Sequence, residues 1–104
     1  MELTVLEVPD CPNAPLMAER LASLIAGQPG VTLTRRVVTD EAEASRLGMR
    51  GSPTLLIDGT DPFLVPGAPF ALSCRLYPAP DGPPTRAPSV TALRVALEQA
   101  RLRA

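Results

Sequence analysis

Two cysteines, Cys11 and Cys74, are the side chains of this sequence best suited to nucleophilic chemistry. The chain contains no histidine, and its ten basic residues are all arginines. These absences exclude Ser/His and Cys/His catalytic pairs, zinc sites with histidine ligands and Schiff-base lysines. A cysteine reacts as its thiolate, which a helix amino terminus stabilises through its dipole and its unpaired N–H groups. Because Cys11 comes just before a predicted helix, we expect it to be the reactive thiol.

The sequence leaves several roles open for Cys74. It falls in Ser73–Tyr77, the one stretch of its region with strand character, where it could be a packed thiol. It could also resolve a mixed disulfide on Cys11 or share a soft metal ion with it, since soft ions select thiolates. A tight hairpin with the preceding strand would carry Cys74 away from Cys11, whereas the long excursion after Gly59 leaves room for the chain to fold back.

Composition limits the classes of partner. The chain has 104 residues, enough for one hydrophobic core, and 45% of them are hydrophobic. A formal net charge of -1 provides no basic surface for nucleic acid or anionic lipid. No apolar run reaches the ~18 residues that span a bilayer, and the start lacks the pattern of a signal peptide. We therefore expect a cytoplasmic protein that binds neither nucleic acid nor membrane.

Hydrophobic periodicity predicts alternating strands and helices in one domain, residues 1–104. The predicted elements are strand Glu2–Val8, a helix from Pro12 or Asn13 to Gly27, strand Val31–Val38, a short helix capped by Asp40 and ended by Gly48, strand Pro53–Asp58, a strand near 73–77, and a helix capped by Ser89. In this β-α-β-α-β-β-α order the first two strands are expected to be parallel and the last two antiparallel.

The segment 59–88 interrupts this regularity. Eight of the thirteen prolines lie between Pro62 and Pro88, and proline lacks the N–H that the interior of a strand or helix requires. We expect this segment to be irregular apart from the short strand near 73–77.

The segment MRGSPTLLI, Met49–Ile57, places a proline at the head of a buried strand. It resembles the thioredoxin segment that carries the family's cis-proline, and Cys11 occupies the place of the first cysteine of the family's CxxC motif. The resemblance implies an α/β, thioredoxin-like fold with a four-stranded mixed sheet flanked by helices. It also implies that Ser52-Pro53 is a cis peptide beside Cys11, and that the backbone of Ser52 is free to pair with an extended partner chain or glutathione.

The sequence departs from the thioredoxin pattern at three positions. The motif reads Cys11-Pro12-Asn13-Ala14, so an alanine replaces the resolving cysteine. Asp10 replaces the tryptophan that usually precedes the first cysteine, and Val5 replaces the family's buried acidic residue. In finer detail the PDCPN, GSPT and CRLY segments are similar to small bacterial thioredoxin-family proteins, some of them labelled alkylmercury-lyase-like.

Three functions are compatible with these residues. The leading hypothesis is a monothiol site, CPNA, that performs thiol–disulfide or glutathione-linked redox chemistry through Cys11. The first alternative is binding of a soft metal or organomercurial by the thiolates of Cys11 and Cys74. The second is a redox-inert module that keeps the fold for binding. We expect no resident cofactor, and the expected partners are glutathione as co-substrate or a thiol-containing protein.

Overall fold

The computed structural model describes residues 1–103 as three helices and seven short strands. The helices are α1 Asn13–Ile25, α2 Glu41–Leu47 and α3 Val90–Arg103. The strands are β1 Glu2–Glu7, β2 Thr32–Val37, β3 Arg50–Ser52, β4 Thr54–Ile57, β5 Ala71–Cys74, β6 Tyr77–Ala79 and β7 Gly82–Thr85. None of the three helices is long and apolar enough to cross a membrane.

The main sheet has three strands in the order β2-β1-β4. β1 and β2 are parallel, as the intervening helix α1 predicts, and β4 runs antiparallel to β1 with Leu6 opposite Thr54. The expected four-stranded sheet is therefore wrong by one strand. At the outer side of β4, the Tyr77 hydroxyl donates to the carbonyl of Pro53, and Ile57 pairs with Thr60. Side-chain and turn contacts thus take the place of a fourth strand.

Strand β5 pairs with β3, in parallel, and not with β4 as an antiparallel hairpin. The expected antiparallel arrangement of the last two strands is wrong because the chain makes a long excursion after the turn at Asp58 and Gly59 and returns beside Ser52. Gly51 permits this close approach. Its φ is +107°, and a Cβ built there would lie 2.8 Å from the Cβ of Arg75.

The proline-rich segment contains more strand than expected, in shorter pieces. A single strand over Ser73–Tyr77 is not formed, because β5 ends at Cys74 and β6 begins at Tyr77. β6 and β7 form a separate antiparallel hairpin whose register shifts between its two ends. Both strands contain proline, which has no N–H for a regular ladder.

Alternation along β1 divides the core between two faces of the main sheet. Leu3 and Val5 pack into a cluster with α1 and α3, whereas Leu6 packs into a second cluster with α2. The first cluster also contains Met17, Leu21, Leu55, Ile57, Leu93 and Leu97. The second contains Val38, Ala44 and Met49.

The predicted ends of α2 and the predicted start of α3 are confirmed, whereas α1 ends at Ile25, before the expected Gly27. The Asp40 carboxylate accepts a 2.8 Å hydrogen bond from the N–H of Glu43, and α2 ends at Gly48 in the left-handed conformation. The Ser89 hydroxyl accepts a 3.1 Å bond from the N–H of Ala92 in the first turn of α3. These caps define both ends of α2 and the start of α3.

Candidate functional site around Cys11

Cys11 lies in a turn between β1 and α1. Its N–H donates a 3.3 Å bond to the carbonyl of Val8, and Asp10 has a φ of +60° in this turn. Helix α1 begins at Asn13, with Pro12 at the capping position and no side-chain cap. Cys11 therefore precedes the first turn of a helix whose leading N–H groups have no capping side chain, as the sequence predicted.

The side chain of Cys11 is buried, with 7% of the residue exposed. The polar and proline residues around Cys11 in the sequence give no indication of this burial. The Val8–Cys11 turn folds back from the end of β1, and Cys11 joins the core cluster of α1 and α3 that includes Ala14 and Met17. Access to the sulfur is consequently narrow.

The Ser52-Pro53 peptide is cis, as predicted. The Ser52 hydroxyl accepts a 3.0 Å bond from the N–H of Val8, the same residue whose carbonyl accepts the N–H of Cys11. Both Ser52 and Pro53 are buried. One residue, Val8, thus links the turn that carries Cys11 to the Ser52-Pro53 segment.

The backbone of Ser52 is not free to accept a partner at its carbonyl. Ser52 pairs with Cys74 across β3 and β5, and its carbonyl accepts a 3.0 Å bond from the N–H of Arg75. The expectation of an open edge at this carbonyl is wrong because the chain's own strand β5 occupies it.

Cys74 lies at the Ser52 end of the sheet. Neighbouring strands are ~4.8 Å apart, so its register partner Ser52 is an adjacent residue. Cys74 is exposed, and both cysteines are free thiols. The structure therefore places Cys74 on the strand beside Ser52, and it does not join the two sulfurs.

An ion pair between the buried carboxylate of Glu7 and the exposed guanidinium of Arg35, which the sequence analysis missed, lies at the end of β1. The two carboxylate oxygens of Glu7 accept bonds of 2.8 Å each from the guanidinium of Arg35. The hydrogen bonds to Glu7 are the main cause of a raised pKa at Arg35, and the negative charges of Glu7 and of a Cys11 thiolate add to it. The alternation Leu3, Val5, Glu7 was the available signal, since it places a carboxylate on a core-facing position.

A second buried network holds the segment around β5. The guanidinium of Arg75 contacts the carboxylate of Asp61 at 2.7 Å, the Thr54 hydroxyl at 3.1 Å and the carbonyl of Phe63 at 2.8 Å. Both charged side chains are less than a tenth exposed. The sequence analysis missed this network, because no local pattern pairs Asp61 with Arg75.

Tyr77 completes this network. Its ring packs edge-on against Phe63, with centroids 5.3 Å apart, and lies 4.9 Å from the guanidinium carbon of Arg75. Its hydroxyl donates to the carbonyl of Pro53. Burial raises the pKa of the Tyr77 phenol, and the nearby Arg75 charge opposes that shift. The network thereby ties β6 to the cis peptide.

Comparison with models of protein families, with curated proteins and with solved structures finds no match. Within residues 1–103, no group of three or more His, Cys, Asp or Glu side chains is arranged to hold a metal ion. The interpretation of the site therefore depends on its own geometry.

Proposed function

We propose that this protein has a thioredoxin-like fold and carries out thiol–disulfide exchange as a monothiol through Cys11. The observation that carries the proposal is the double hydrogen bond of Val8, which holds the Cys11 turn to Ser52 at the start of α1. The parallel β1-α1-β2 unit, the antiparallel β4 and the final helix α3 support the fold.

The chemical step is an exchange of sulfur bonds. The Cys11 thiolate attacks one sulfur of a disulfide, a Cys11–S–S bond forms, and the other sulfur leaves as a thiolate with the bonding electron pair. A second thiolate then attacks the mixed disulfide and returns Cys11 as a thiolate. The overall exchange is balanced by the external thiol and needs no bound cofactor.

The start of α1 supports this role. Its leading N–H groups have no capping side chain, and they place a partial positive charge beside Cys11.

Ala14 determines how the cycle must finish. It occupies the position from which a second thiol of a CxxC motif would attack the mixed disulfide, and its side chain is a buried methyl group. The releasing thiol must therefore come from glutathione, from another protein or from Cys74.

Cys74 as the releasing thiol is a second candidate function, favoured by its pairing with Ser52. This pairing brings Cys74 to the end of the sheet that Val8 links to Cys11. A disulfide requires Cα atoms within ~7 Å. This route therefore requires the Cα atoms of Cys11 and Cys74 to come within that distance of each other.

Disulfide reduction by the wild type, Cys11→Ser and Cys74→Ser, each with and without glutathione, tests these routes. The monothiol proposal predicts full dependence on glutathione and loss of activity only in Cys11→Ser. Loss in both variants would identify Cys74 as the resolving thiol. Activity that survives in Cys11→Ser would refute the proposed function.

A further inference from the structure

The outer edge of β5 lacks the protection that β2, β4, β6 and β7 carry. Proteins guard exposed strand edges with charges, prolines or covering contacts, because the unpaired N–H and C=O groups there can pair with another chain. β2 contains Arg35 and Arg36, and both strands of the β6-β7 hairpin contain proline. Contacts of Tyr77 and Thr60 cover the outer side of β4. The sequence of β5, Ala71–Cys74, has neither charge nor proline.

Two N–H groups on this edge are free to pair with another chain. The N–H groups of Ala71 and Arg75 donate bonds of 3.1 and 3.0 Å to carbonyls in and just before β3, so they face β3. Successive N–H groups of a strand point to opposite sides, which turns those of Leu72 and Cys74 away from β3. Within residues 1–103, no strand pairs with β5 on that side and no other backbone carbonyl accepts these two groups.

Large apolar side chains are exposed at both ends of this edge. Phe70 directly precedes β5 and Leu76 lies two residues after it, with 44% and 60% of each residue exposed. Leu64 and Val65, in the loop that leads to β5, are exposed as well. Clusters of exposed apolar side chains mark surfaces that bind other proteins. The edge of β5 and these four side chains, here called the β5 surface, therefore form a candidate interface.

Two arginines hold the loop of the β5 surface in place. The Nε of Arg50 donates a 3.2 Å bond to the carbonyl of Ala68, and its guanidinium carbon lies 4.4 Å from the ring centre of Phe70. Arg75 donates a 2.8 Å bond to the carbonyl of Phe63. Because Arg50 begins β3 and Arg75 directly follows β5, the loop lies beside this strand pair. A surface that is already ordered loses little conformational entropy when it binds.

The absence of charge on β5 makes the strand compatible with a second copy of itself. Two-fold association places each strand antiparallel to its own copy, so every side chain faces one from the same short sequence. Like charges that face each other across strands are destabilising, and two copies of β2 would bring Arg35 and Arg36 together. β5 has no such conflict, because the adjacent Arg75 is buried and paired with Asp61.

We propose that two copies of this chain associate through the β5 surface, with their β5 strands antiparallel about a two-fold axis. The pairing joins the two β3-β5 sheets into one sheet of four strands. The exposed apolar side chains of each β5 surface then pack against the other copy. This inference does not depend on chemistry at Cys11, and it places Cys74 at the interface.

Sedimentation equilibrium of the reduced full chain between about 10 µM and about 1 mM tests the association, because a dimer held by a short strand pair is expected to have its Kd in this range. Ser73→Lys places a charge at the exposed centre of β5 in both copies and is expected to weaken the dimer at least about tenfold. Thr34→Lys is the matched control, since Thr34 is likewise exposed but lies on β2. It is expected to leave the association unchanged.

Leu76→Ser separates the apolar contribution from that of the strand edge. It removes an exposed side chain that becomes buried only in the dimer, and it is expected to weaken the dimer by about tenfold. Leu102→Ser makes the same change at an 86% exposed position of α3 and is expected to have no effect. Urea denaturation checks that each variant folds, and either variant of the β5 surface decides the outcome if the other is unfolded.

Modification of Cys74 locates the interface. In Cys11→Ser, the rate at which a polymer-linked maleimide modifies Cys74 is expected to fall several-fold as the protein concentration rises through the Kd. Adding Ser73→Lys is expected to abolish this fall. A monomer at every concentration, or equal weakening by Ser73→Lys and Thr34→Lys, would overturn the proposal. A dimer that does not protect Cys74 would overturn it as well, because its interface would lie elsewhere.

Discussion

The N–H of Arg75 donates a 3.0 Å hydrogen bond to the carbonyl of Ser52. This bond joins β5 to β3. It also occupies the carbonyl oxygen at which an extended partner chain was expected to pair. The side chain of Arg75 is anchored at the same time by Asp61 and Thr54. The edge beside the cis peptide is thus part of the protein's own fold, and the following predictions test that arrangement.

Gly51→Ala is expected to separate β5 from β3. The new Cβ would lie 2.8 Å from the Cβ of Arg75, and the backbone there has a φ of +107°. Gly59→Ala is the control, because Gly59 also has a positive φ but no atom within 4 Å of an added Cβ. We expect Gly59→Ala to cost about 1–2 kcal/mol of unfolding free energy and Gly51→Ala about 1–3 kcal/mol more, measured by urea denaturation. Equal losses would contradict the close packing of the two strands.

Asp61→Asn is expected to destabilise the fold by about 3–5 kcal/mol, because it leaves the buried guanidinium of Arg75 without its counter-charge. Arg36→Gln serves as control, since Arg36 contacts Glu43 at 3.9 Å on an exposed surface. Its removal is expected to cost less than about 1 kcal/mol. Urea denaturation of both variants provides the measurement. Similar midpoints for Asp61→Asn and Arg36→Gln would show that the Arg75–Asp61 pair does not hold this segment.

Tyr77→Phe is expected to lower the unfolding free energy at neutral pH by about 1–2 kcal/mol, since the carbonyl of Pro53 loses its donor. The raised pKa of Tyr77 also predicts a pH effect. The protonated phenol stabilises the native state fully below its ordinary pKa of about 10, and this contribution is lost as the pH rises through the higher pKa of the folded protein. The Tyr77→Phe variant has no phenol to ionise, so its unfolding free energy is not expected to show this decrease at high pH.

Absorbance of the phenolate provides a direct measurement, because Tyr77 is the single tyrosine and the chain has no tryptophan. The folded protein is expected to ionise at higher pH than the protein in urea. The same titration curve in both states would contradict the burial of Tyr77.

The size of an alkylating reagent is expected to decide which cysteine it modifies. Near neutral pH, limiting iodoacetamide is expected to modify Cys11 before Cys74, because Cys11 immediately precedes the uncapped amino terminus of α1. A polymer-linked maleimide is expected to modify the exposed Cys74 first, since Cys11 is buried. Peptide mass spectrometry after each reaction locates the modification. A preference for Cys74 with both reagents would show that burial dominates and that Cys11 is not an activated thiol.

Sequence reasoning predicted the elements whose signals are local. The alternation in β1, the cap at Asp40 and the left-handed Gly48 are all set by residues within a few positions. The place of Cys11 at the start of α1 was predicted from local residues in the same way. The cis peptide before Pro53 was predicted only from the resemblance that Met49–Ile57 carries.

The features that were missed depend on distant pairs. β5 lies beside β3 because Gly51 admits Arg75 and because Asp61 neutralises it, and these partners are far apart in the sequence. The many prolines of this segment lack N–H groups. Because they also interrupt the alternation of apolar and polar residues, the sequence does not predict these strands. The burial of Cys11 likewise depends on packing with α1 and α3, and the polar residues next to it in the sequence give no sign of that packing.

The central claim, that Cys11 exchanges disulfides as a monothiol, is tested most directly by locating the mixed disulfide. The reduced wild type, Cys11→Ser and Cys74→Ser are incubated with limiting glutathione disulfide, quenched with acid and analysed by intact and peptide mass spectrometry. The account predicts a single glutathione on Cys11 in the wild type and in Cys74→Ser, and its release by added glutathione. Glutathione found only on Cys74, or an adduct undiminished in Cys11→Ser, would contradict it.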